Sequence, residues 1–390
     1  MQKIVHVIAS LDTGGAEIML CRLLRGMDRQ RFKPVVIALM PGGSLEGDIE
    51  AMGIPLYHAG MRQGRPSLIA LWRLVRILRR ERPDVVQGWM VHGNLAAQVA
   101  SRFLTPRPYV CWAVHHSQES LHREKWLTAL LIRLSARLAR PREKSDSPNV
   151  PERIVYVSQV SRNQHERLGF DPARGTTIPN GIDPDVFGPS EAARAAVRRE
   201  LGVSEDAMLI GLMGRFHPQK NHAGFLRAAR TVVEQCPSAS IVLAGSGTEP
   251  GNKRLAALAR ECGVEAVLHA LGERRDMPRL TAALDIAVSA SSYGEALSLA
   301  VAEAMACEVP CVVANVGDNG LLVGQTGAVI PPGEPALLAE ACLSLIRIGP
   351  SGRKALGAMA RERILCHYAL PGVTRQYEEF YSSLGPKKEL

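Results

Sequence analysis

The 390-residue chain has no CxxC pair and no complete GxGxxG run, and its eight cysteines (21, 111, 236, 262, 307, 311, 342, 366) are scattered, most of them in apolar stretches. Cys307 and Cys311 have no neighbours in sequence that would complete a metal set, so buried reduced thiols and a cytoplasmic setting are expected. Aromatic residues are scarce, at 5%. They do not interleave with the basic residues and no nucleic-acid motif occurs, so nucleic acid is not expected as a partner. No apolar run approaches ~18 residues, and no transmembrane helix is expected. The opening residues, MQKIVHVIASLDTGG, carry one lysine and a short apolar run without a cleavage site, which does not describe a secretory signal.

What is present is enough apolar residue, 46%, to fill the cores of two domains. The formal charge of +9 is unevenly spread. Residues 1–170 hold 25 Lys and Arg against 14 Asp and Glu, a net +11, which leaves −2 for the remainder. The basic half therefore suits an anionic surface, an anionic substrate, or both. Short β-branched runs such as IVHVIAS (4–10), PDVVQGWM (83–90) and PYVCWAVHH (108–116) alternate with longer helical patterns. The alternation restarts at AMLIGLMGRF (207–216) and continues through ASIVLAG, DIAVSAS and VPCVVAN. Such alternation predicts an α/β fold of two tandem Rossmann-like, doubly wound domains facing a cleft. The expected divisions are 1–180, 181–370 and a tail helix over 371–390 that returns to the N-terminal domain. The linker falls in TTIPNGIDPDVFGPS (176–190), and a second polar, Pro-punctuated loop spans 140–153.

Ligands of doubly wound sheets sit beyond the carboxyl ends of strands, and polar motifs cluster there. GEALSLAVAEAM (294–305) holds Glu295 and Glu303 in an otherwise core-like segment. Ala, Leu and Met favour a helix starting near Glu295, and eight helical residues span ~12 Å. That is wider than the roughly 5–9.5 Å of a glycosidase carboxylate pair. The two acids could grip the ends of one long ligand, with an anion at the helix N-terminus between them. A sugar nucleotide has that layout. Alternatively Glu295 caps the helix and Glu303 lies on its exposed face. MGRFHPQKNH (213–222) places Arg215 and Lys220 after a strand of the same domain, where they could neutralise a diphosphate. SLDTGGAEIML opens a helix at Gly14 and Gly15, but no acidic residue ends the second strand, so a dinucleotide fingerprint is incomplete. His115 and His116 follow one strand and His92 another, each open to a ligand or a structural role. Ser158 and Asn163 are explained by helix capping. GSG (245–247) and LGERRD (271–276) are further loops after strands.

The ordered set GGAE, GRFHPQK, GSG, LGERRD and GEALSLAVAEAMACEVPCVVANVGD resembles the retaining glycosyltransferases of family 4, which have the GT-B fold. The resemblance implies that Glu295 contacts donor-sugar hydroxyls and that N–H groups around Leu297, Ser298 and Leu299 face sugar and phosphate. It implies that Glu303 accepts from the ribose, that Arg215 and Lys220 hold the diphosphate, and that Gly15 approaches the phosphates. His115, with His116 as rival, stands near the transferred sugar, and Arg274 lies in the loop bordering the base. Ala296-Leu297-Ser298 departs from the commoner Gly-Phe-(Pro or Gly), which alters the wall around the donor sugar, and NVGDNG departs from Gly-Gly-x-x-Glu.

The expected activity is therefore transfer of a hexose from a UDP- or GDP-sugar to a hydroxyl of a glycan or lipid-linked acceptor, in cell-surface polysaccharide or glycolipid synthesis. No cofactor is expected, and no divalent metal, because no DxD-like set stands in a matching place. A non-transferring sugar-nucleotide epimerase of the same fold is the alternative. SLIALWRLVRILRRER (67–82) has apolar residues on one face and five arginines. It suits the headgroup layer of an anionic membrane, which would make the protein peripheral at the inner face of the cell membrane. It equally suits a core-facing helix with a solvated basic edge.

Overall fold

The β-branched runs of the first half become seven strands, β1 (Gln2–Ile8), β2 (Phe32–Ala38), β3 (Leu56–His58), β4 (Val85–Trp89), β5 (Tyr109–Val114), β6 (Arg153–Tyr156) and β7 (Gly175–Thr177). This is seen in a computed structural model that describes residues 1–63, 67–117, 126–140 and 150–385. Residues 141–149, most of the polar loop singled out above, lie outside the described residues. The strands pair in parallel in the order β3-β2-β1-β4-β5-β6-β7. Helices α1 (Gly15–Gly26), α2 (Glu46–Ala51), α3 (Leu68–Glu81), α4 (Met90–Ala100), α5 (Trp126–Leu138) and α6 (Gln159–Arg167) follow their strands in turn. Both faces of the sheet are covered, which is why its strands read as unbroken apolar runs.

The second unit starts at Ile182 and runs to Ala369; the first takes Met1–Gly181 and the chain from Leu370 onward. Its helix α15 (Leu370–Ser382) buries Leu370, Val373, Tyr377, Phe380 and Tyr381 in the core that holds α1, β1 and β2. At the division, Gly181 donates to the Met19 sulfur at 3.1 Å and accepts from Arg22 at 3.2 Å. A Cβ there would lie 2.8 Å from the Leu370 side chain and 3.1 Å from its Cα, so the chain passes close against α15.

The second unit repeats the architecture with six parallel strands in the order β10-β9-β8-β11-β12-β13. These are β8 (Met208–Met213), β9 (Ala239–Ala244), β10 (Leu268–Ala270), β11 (Ile286–Ser289), β12 (Cys311–Ala314) and β13 (Ala328–Ile330). Around them lie α7 (Glu191–Leu201), α8 (His222–Gln235), α9 (Lys253–Cys262), α10 (Met277–Ala282), α11 (Leu299–Ala306), α12 (Asn319–Val323), α13 (Pro335–Arg347) and α14 (Gly349–His367). Asn221 and Asn252 cap α8 and α9 through their side chains. Six of the eight cysteines are buried; Cys366 is exposed and Cys236 partly so.

The first unit buries several histidines in neutral form. His6 accepts from Trp89 Nε1 at 3.1 Å, and burial, with Arg29 nearby, pushes its pKa down to about 3. Burial likewise brings His165 to about 4, against the opposing bond to the Ser161 carbonyl. Burial and the neighbouring His165 and His115 bring His116 to about 3. On acidification the unfolded chain takes up these protons near the ordinary value of 6.5, and the folded chain only near 4 or below. Stability from these groups is thus complete above pH 6.5 and lost as pH falls through that window. Thermal unfolding followed from pH 7.5 downward is expected to show a melting temperature that falls steadily from about pH 6.5. A melting temperature that stays flat to about pH 4.5 would contradict this account.

Candidate active site

The strand order of the second unit reverses between β8 and β11, and the loops leaving these two strands carry the main candidate residues. Such a reversal opens a crevice at the carboxyl ends of an open α/β sheet. The loop after β8 is held by its neighbours. Gly214 N–H donates to Ala244 O at 2.8 Å, and Phe216 N–H to Ser246 O at 2.7 Å. Gly245 has φ +139°, and a Cβ on it would lie 2.5 Å from the Gly214 backbone, so the GSG glycine is there for close approach. Gln219 links this loop to the one after β11: its carbonyl accepts from Ser292 N–H at 2.8 Å, and its side chain accepts from Arg215 at 3.5 Å. The Arg215 side chain is otherwise exposed.

Lys220 and Glu295 meet directly. The Lys220 ammonium and the Ser291 hydroxyl both donate to Glu295 Oε1, the hydroxyl at 2.8 Å. Burial of Glu295 alone would raise its pKa, but Lys220, Ser291 and Arg215 together hold it below the usual carboxylate range. It is therefore an ionised, pre-oriented acceptor in a nearly dry position, 7% exposed.

The expected helix start near Glu295 is corrected by the structure: α11 begins at Leu299, with Ser298 as its N-cap. Gly294 stands at φ +74°, and residues 295–298 run as a loop into the helix. The loop is pinned by the segment after β12. Asp318 N–H donates to Ala296 O at 2.8 Å, and Ser298 N–H donates to Asn319 Oδ1 at 3.1 Å. Gly317, at φ +61°, packs so closely that a Cβ would lie 2.1 Å from Glu295 O. The ~12 Å helical separation of the two acids thus does not hold, because half of the interval is not helix. The Ser298 N–H is also committed to Asn319 rather than open to a ligand. Leu297 is buried, and Leu299 opens the helix, where N–H groups have no intrahelical acceptor. Glu303 lies four residues beyond Leu299, hence on the same helix face and roughly 6 Å along it. It is 8% exposed, not on a solvated face.

Ser291, Gln219, Gly317 and Asn319 were not singled out by sequence. Gly317 and Asn319 sit in NVGDNG, where a glycine and a polar residue just after a strand were a usable signal. Arg274 is tied up in its own cluster. It donates to both carboxylate oxygens of Asp276, at 2.7 and 2.8 Å, and to Glu200 at 2.7 Å, while Arg279 reaches the same two acids. These partners hold Asp276 far below the usual range, the bond from Arg274 contributing most.

In the first unit, Gly15 opens α1 at the carboxyl end of β1, with Gly14 as N-cap. His92 follows β4 in the first turns of α4, which starts at Met90. His115 leaves β5 and stacks on Trp89 with centroids 5.0 Å apart. Its Nδ1 is buried without a hydrogen-bond partner. Burial, opposed by a bond with Asn180, lowers its pKa to about 4, so it is a neutral imidazole at pH 7 and offers a hydrogen bond rather than a charge. Both ring nitrogens of His116 are likewise buried and unpartnered. Ser158 caps α6 through Ser161 N–H at 3.1 Å as expected, whereas Asn163 lies within α6 and accepts from Gln159 at 2.8 Å, so the capping expected of it does not hold. Among the described residues no three His, Cys, Asp or Glu side chains group as a metal site.

Residues 13–186 match the family described as Glycosyltransferase Family 4, and residues 207–347 match Glycosyl transferases group 1. An Escherichia coli UDP-Gal:alpha-D-GlcNAc-diphosphoundecaprenol alpha-1,3-galactosyltransferase is 27% identical over 290 residues, 72% of this chain and 70% of that protein. A D-inositol 3-phosphate glycosyltransferase of Kribbella flavida is 31% identical over 273 residues, 62% of this chain and 63% of that one. Among solved structures, Anabaena HepE in complex with UDP and glucose superposes with a TM-score of 0.83 at 23% identity, covering 98% of this chain and 100% of that one. Sucrose-phosphate synthase from Thermosynechococcus elongatus does so with a TM-score of 0.79 at 17% identity, covering 98% and 99%. Both structures share the fold found here, and the two matched families together cover every strand of both sheets except β1. The chain is a family 4-like glycosyltransferase with the GT-B fold.

Proposed function

We propose that the enzyme transfers a hexose, with retention, from a UDP-sugar to a hydroxyl of a lipid-linked glycan in cell-surface polysaccharide or glycolipid synthesis. The observation that carries the donor half is the Lys220–Glu295–Ser291 cluster set against the start of α11, with Glu303 one turn further on the same helix. In this reading the diphosphate lies at the helix start between Arg215 and Lys220. Glu295 accepts from sugar hydroxyls and Glu303 from the ribose. The glycosidic bond to the leaving phosphate oxygen breaks, and the electron pair stays on the diphosphate, where two cations and the helix N-terminus meet the growing charge. The acceptor hydroxyl adds to the anomeric carbon on the face just vacated, and its proton passes to the departing phosphate. His115, neutral, would offer a hydrogen bond to a sugar hydroxyl. Retention follows the family's chemistry, and no observation favours the epimerase alternative.

Uridine is favoured because the galactosyltransferase relative is named for a UDP-sugar and HepE was solved with UDP. That same relative's acceptor is a diphosphoundecaprenol glycan, which supports a lipid-linked acceptor. Thermal-shift titration with UDP-, GDP- and ADP-sugars tests the donor. A ligand at a hundred times its Kd adds about 2.7 kcal/mol of apparent stability. UDP-sugars are expected to raise the melting temperature and the others not. A shift with GDP-sugars alone would replace uridine by guanosine, and an inverted anomer in the product would remove retention.

A further inference from the structure

The arginine-rich helix α3 resolves differently from either reading open in its sequence. Its apolar stripe, Ala70, Leu74, Val75 and Leu78, is buried against the sheet, so that stripe is unavailable to a membrane. Yet the opposite face is not simply a solvated basic edge. Leu68 is 86% exposed, Ile69 64% and Trp72 59%, and they share that face with exposed Arg73, Arg76, Arg79 and Arg80. At 100° per residue these seven side chains fall within about 140° of arc. The apolar three occupy the first turns and the arginines the later ones. Arg76 stands 5.5 Å over the Trp72 ring, and Arg79 donates to the carbonyl of Phe103, itself 53% exposed. The only carboxylate of the helix, Glu81, is drawn inward to the Tyr57 hydroxyl at 2.9 Å and to Lys3 at 3.4 Å. Arg80, lying over the Tyr57 ring at 4.5 Å, is the one arginine of the four near it, at 3.6 Å.

We propose that this outward face of α3 docks on an anionic lipid bilayer, with Leu68, Ile69 and Trp72 entering the interface and the four arginines meeting headgroup phosphates. Large apolar side chains left in water beside a row of arginines, of which Arg80 alone meets a carboxylate, are what an interfacial contact requires: apolar area to bury and cations at headgroup depth. A purely acidic partner would use the arginines and leave the apolar residues unexplained. Charge complementarity fits the bilayer, since the first half carries the whole positive excess of the chain. Among the described residues no helix is long and apolar enough to cross a membrane, so this contact is peripheral. The inference deepens the lipid-linked-acceptor reading, but its test reads lipid binding alone. Loss of donor binding would leave it standing, and its own failure would leave the donor site standing.

The test is co-sedimentation of the full chain with vesicles of phosphatidylglycerol and phosphatidylethanolamine, against phosphatidylcholine alone. The wild type is expected to pellet with the anionic vesicles at low salt, to release in part at high salt, and to ignore the neutral ones. Each basic residue near an anionic surface multiplies partitioning about fivefold, so replacing Arg73, Arg76, Arg79 and Arg80 by Gln should lower it about 10²-fold or more. A second variant, Leu68→Ser with Ile69→Ser and Trp72→Ser, changes only exposed side chains. It should keep weak low-salt binding and lose all binding at high salt. Both variants should keep the wild-type melting temperature and donor turnover on a soluble acceptor. Failure of the wild type to pellet at low salt overturns the proposal. So does pelleting that persists in the arginine variant, which would move the contact elsewhere, for example to α5 with its exposed Leu130 and Leu134. Wild-type binding by the apolar variant also overturns it, because the contact would then be electrostatic only.

Discussion

Arg215→Ala is expected to lower turnover about 10²-fold while leaving the melting temperature unchanged, and Lys220→Ala is expected to lower turnover at least as much while also destabilising the second unit. The structure separates the two cations that sequence placed together. Arg215 is exposed and donates to Gln219 at 3.5 Å; it also helps to hold Glu295 ionised, but Lys220 and Ser291 remain on that carboxylate when it is removed. Most of its effect should fall on charge developing at the leaving diphosphate, about 2.7 kcal/mol for a hundredfold loss. Lys220 is different, because its ammonium is the principal partner of the buried Glu295. Truncating it strands a desolvated carboxylate, which is costly in proportion to its burial. Glu295 would answer by taking up a proton at higher pH, since the attraction offsetting its desolvation is gone. Turnover by Lys220→Ala should therefore fall further as pH drops through the range where Glu295 protonates, whereas Arg215→Ala, a smaller contributor to the Glu295 charge, should shift the pH profile far less. Steady-state rates and thermal unfolding of both variants from pH 5 to 8 check this. Near-wild-type turnover in Arg215→Ala would remove it from the diphosphate contact. An unchanged melting temperature in Lys220→Ala would mean that the ion pair with Glu295 contributes nothing net to the fold.

What sequence could and could not convey follows from the range of each signal. Strands were legible because parallel, doubly covered strands are unbroken apolar runs, and each candidate loop was legible because it follows such a run. A helix cap such as Asn221 or Asn252 is a local signal, because it acts within three residues. The start of α11 was misplaced by four residues for the opposite reason. Residues 295–298 have helix-forming composition, but they are held as a loop by Asp318 and Asn319, some twenty residues away in sequence. Propensity is a weak prior that such tertiary bonds override. Ser291 and Gln219 escaped notice because a serine and a glutamine become site residues only through the partners they meet. For α3 the periodicity showed an apolar stripe and a row of arginines, but not that Leu68, Ile69 and Trp72 fall outside the stripe that packs. Burial of Glu303, in contrast, decides against the exposed-face alternative that its sequence left open.

Glu303→Gln is expected to weaken binding of a UDP-sugar about 10²-fold and to erase most of the enzyme's preference for a ribose over a 2′,3′-dideoxyribose donor. A carboxylate accepts from two vicinal hydroxyls at once and does so as an ion, which makes each bond stronger than its neutral counterpart. Glutamine preserves the shape but turns one acceptor into a donor, so one hydroxyl meets an N–H it cannot accept from without giving up its own donation. The position suits the role, since Glu303 shares a helix face with Leu299 and sits about one turn from the helix start where the diphosphate would lie. It is also buried, so a donor lacking the hydroxyls would leave those oxygens of Glu303 that face the ribose without the bonds the ribose gives them. Sites that rely on a buried polar group in this way discriminate by as much as about 10⁴-fold. Calorimetric titration of both donors into both proteins measures the effect directly, with a melting curve to show that the variant is folded. If Glu303→Gln binds the ribose donor as tightly as the wild type, with the same preference over the dideoxy donor, then Glu303 holds α11 in place and the ribose contact belongs to another group.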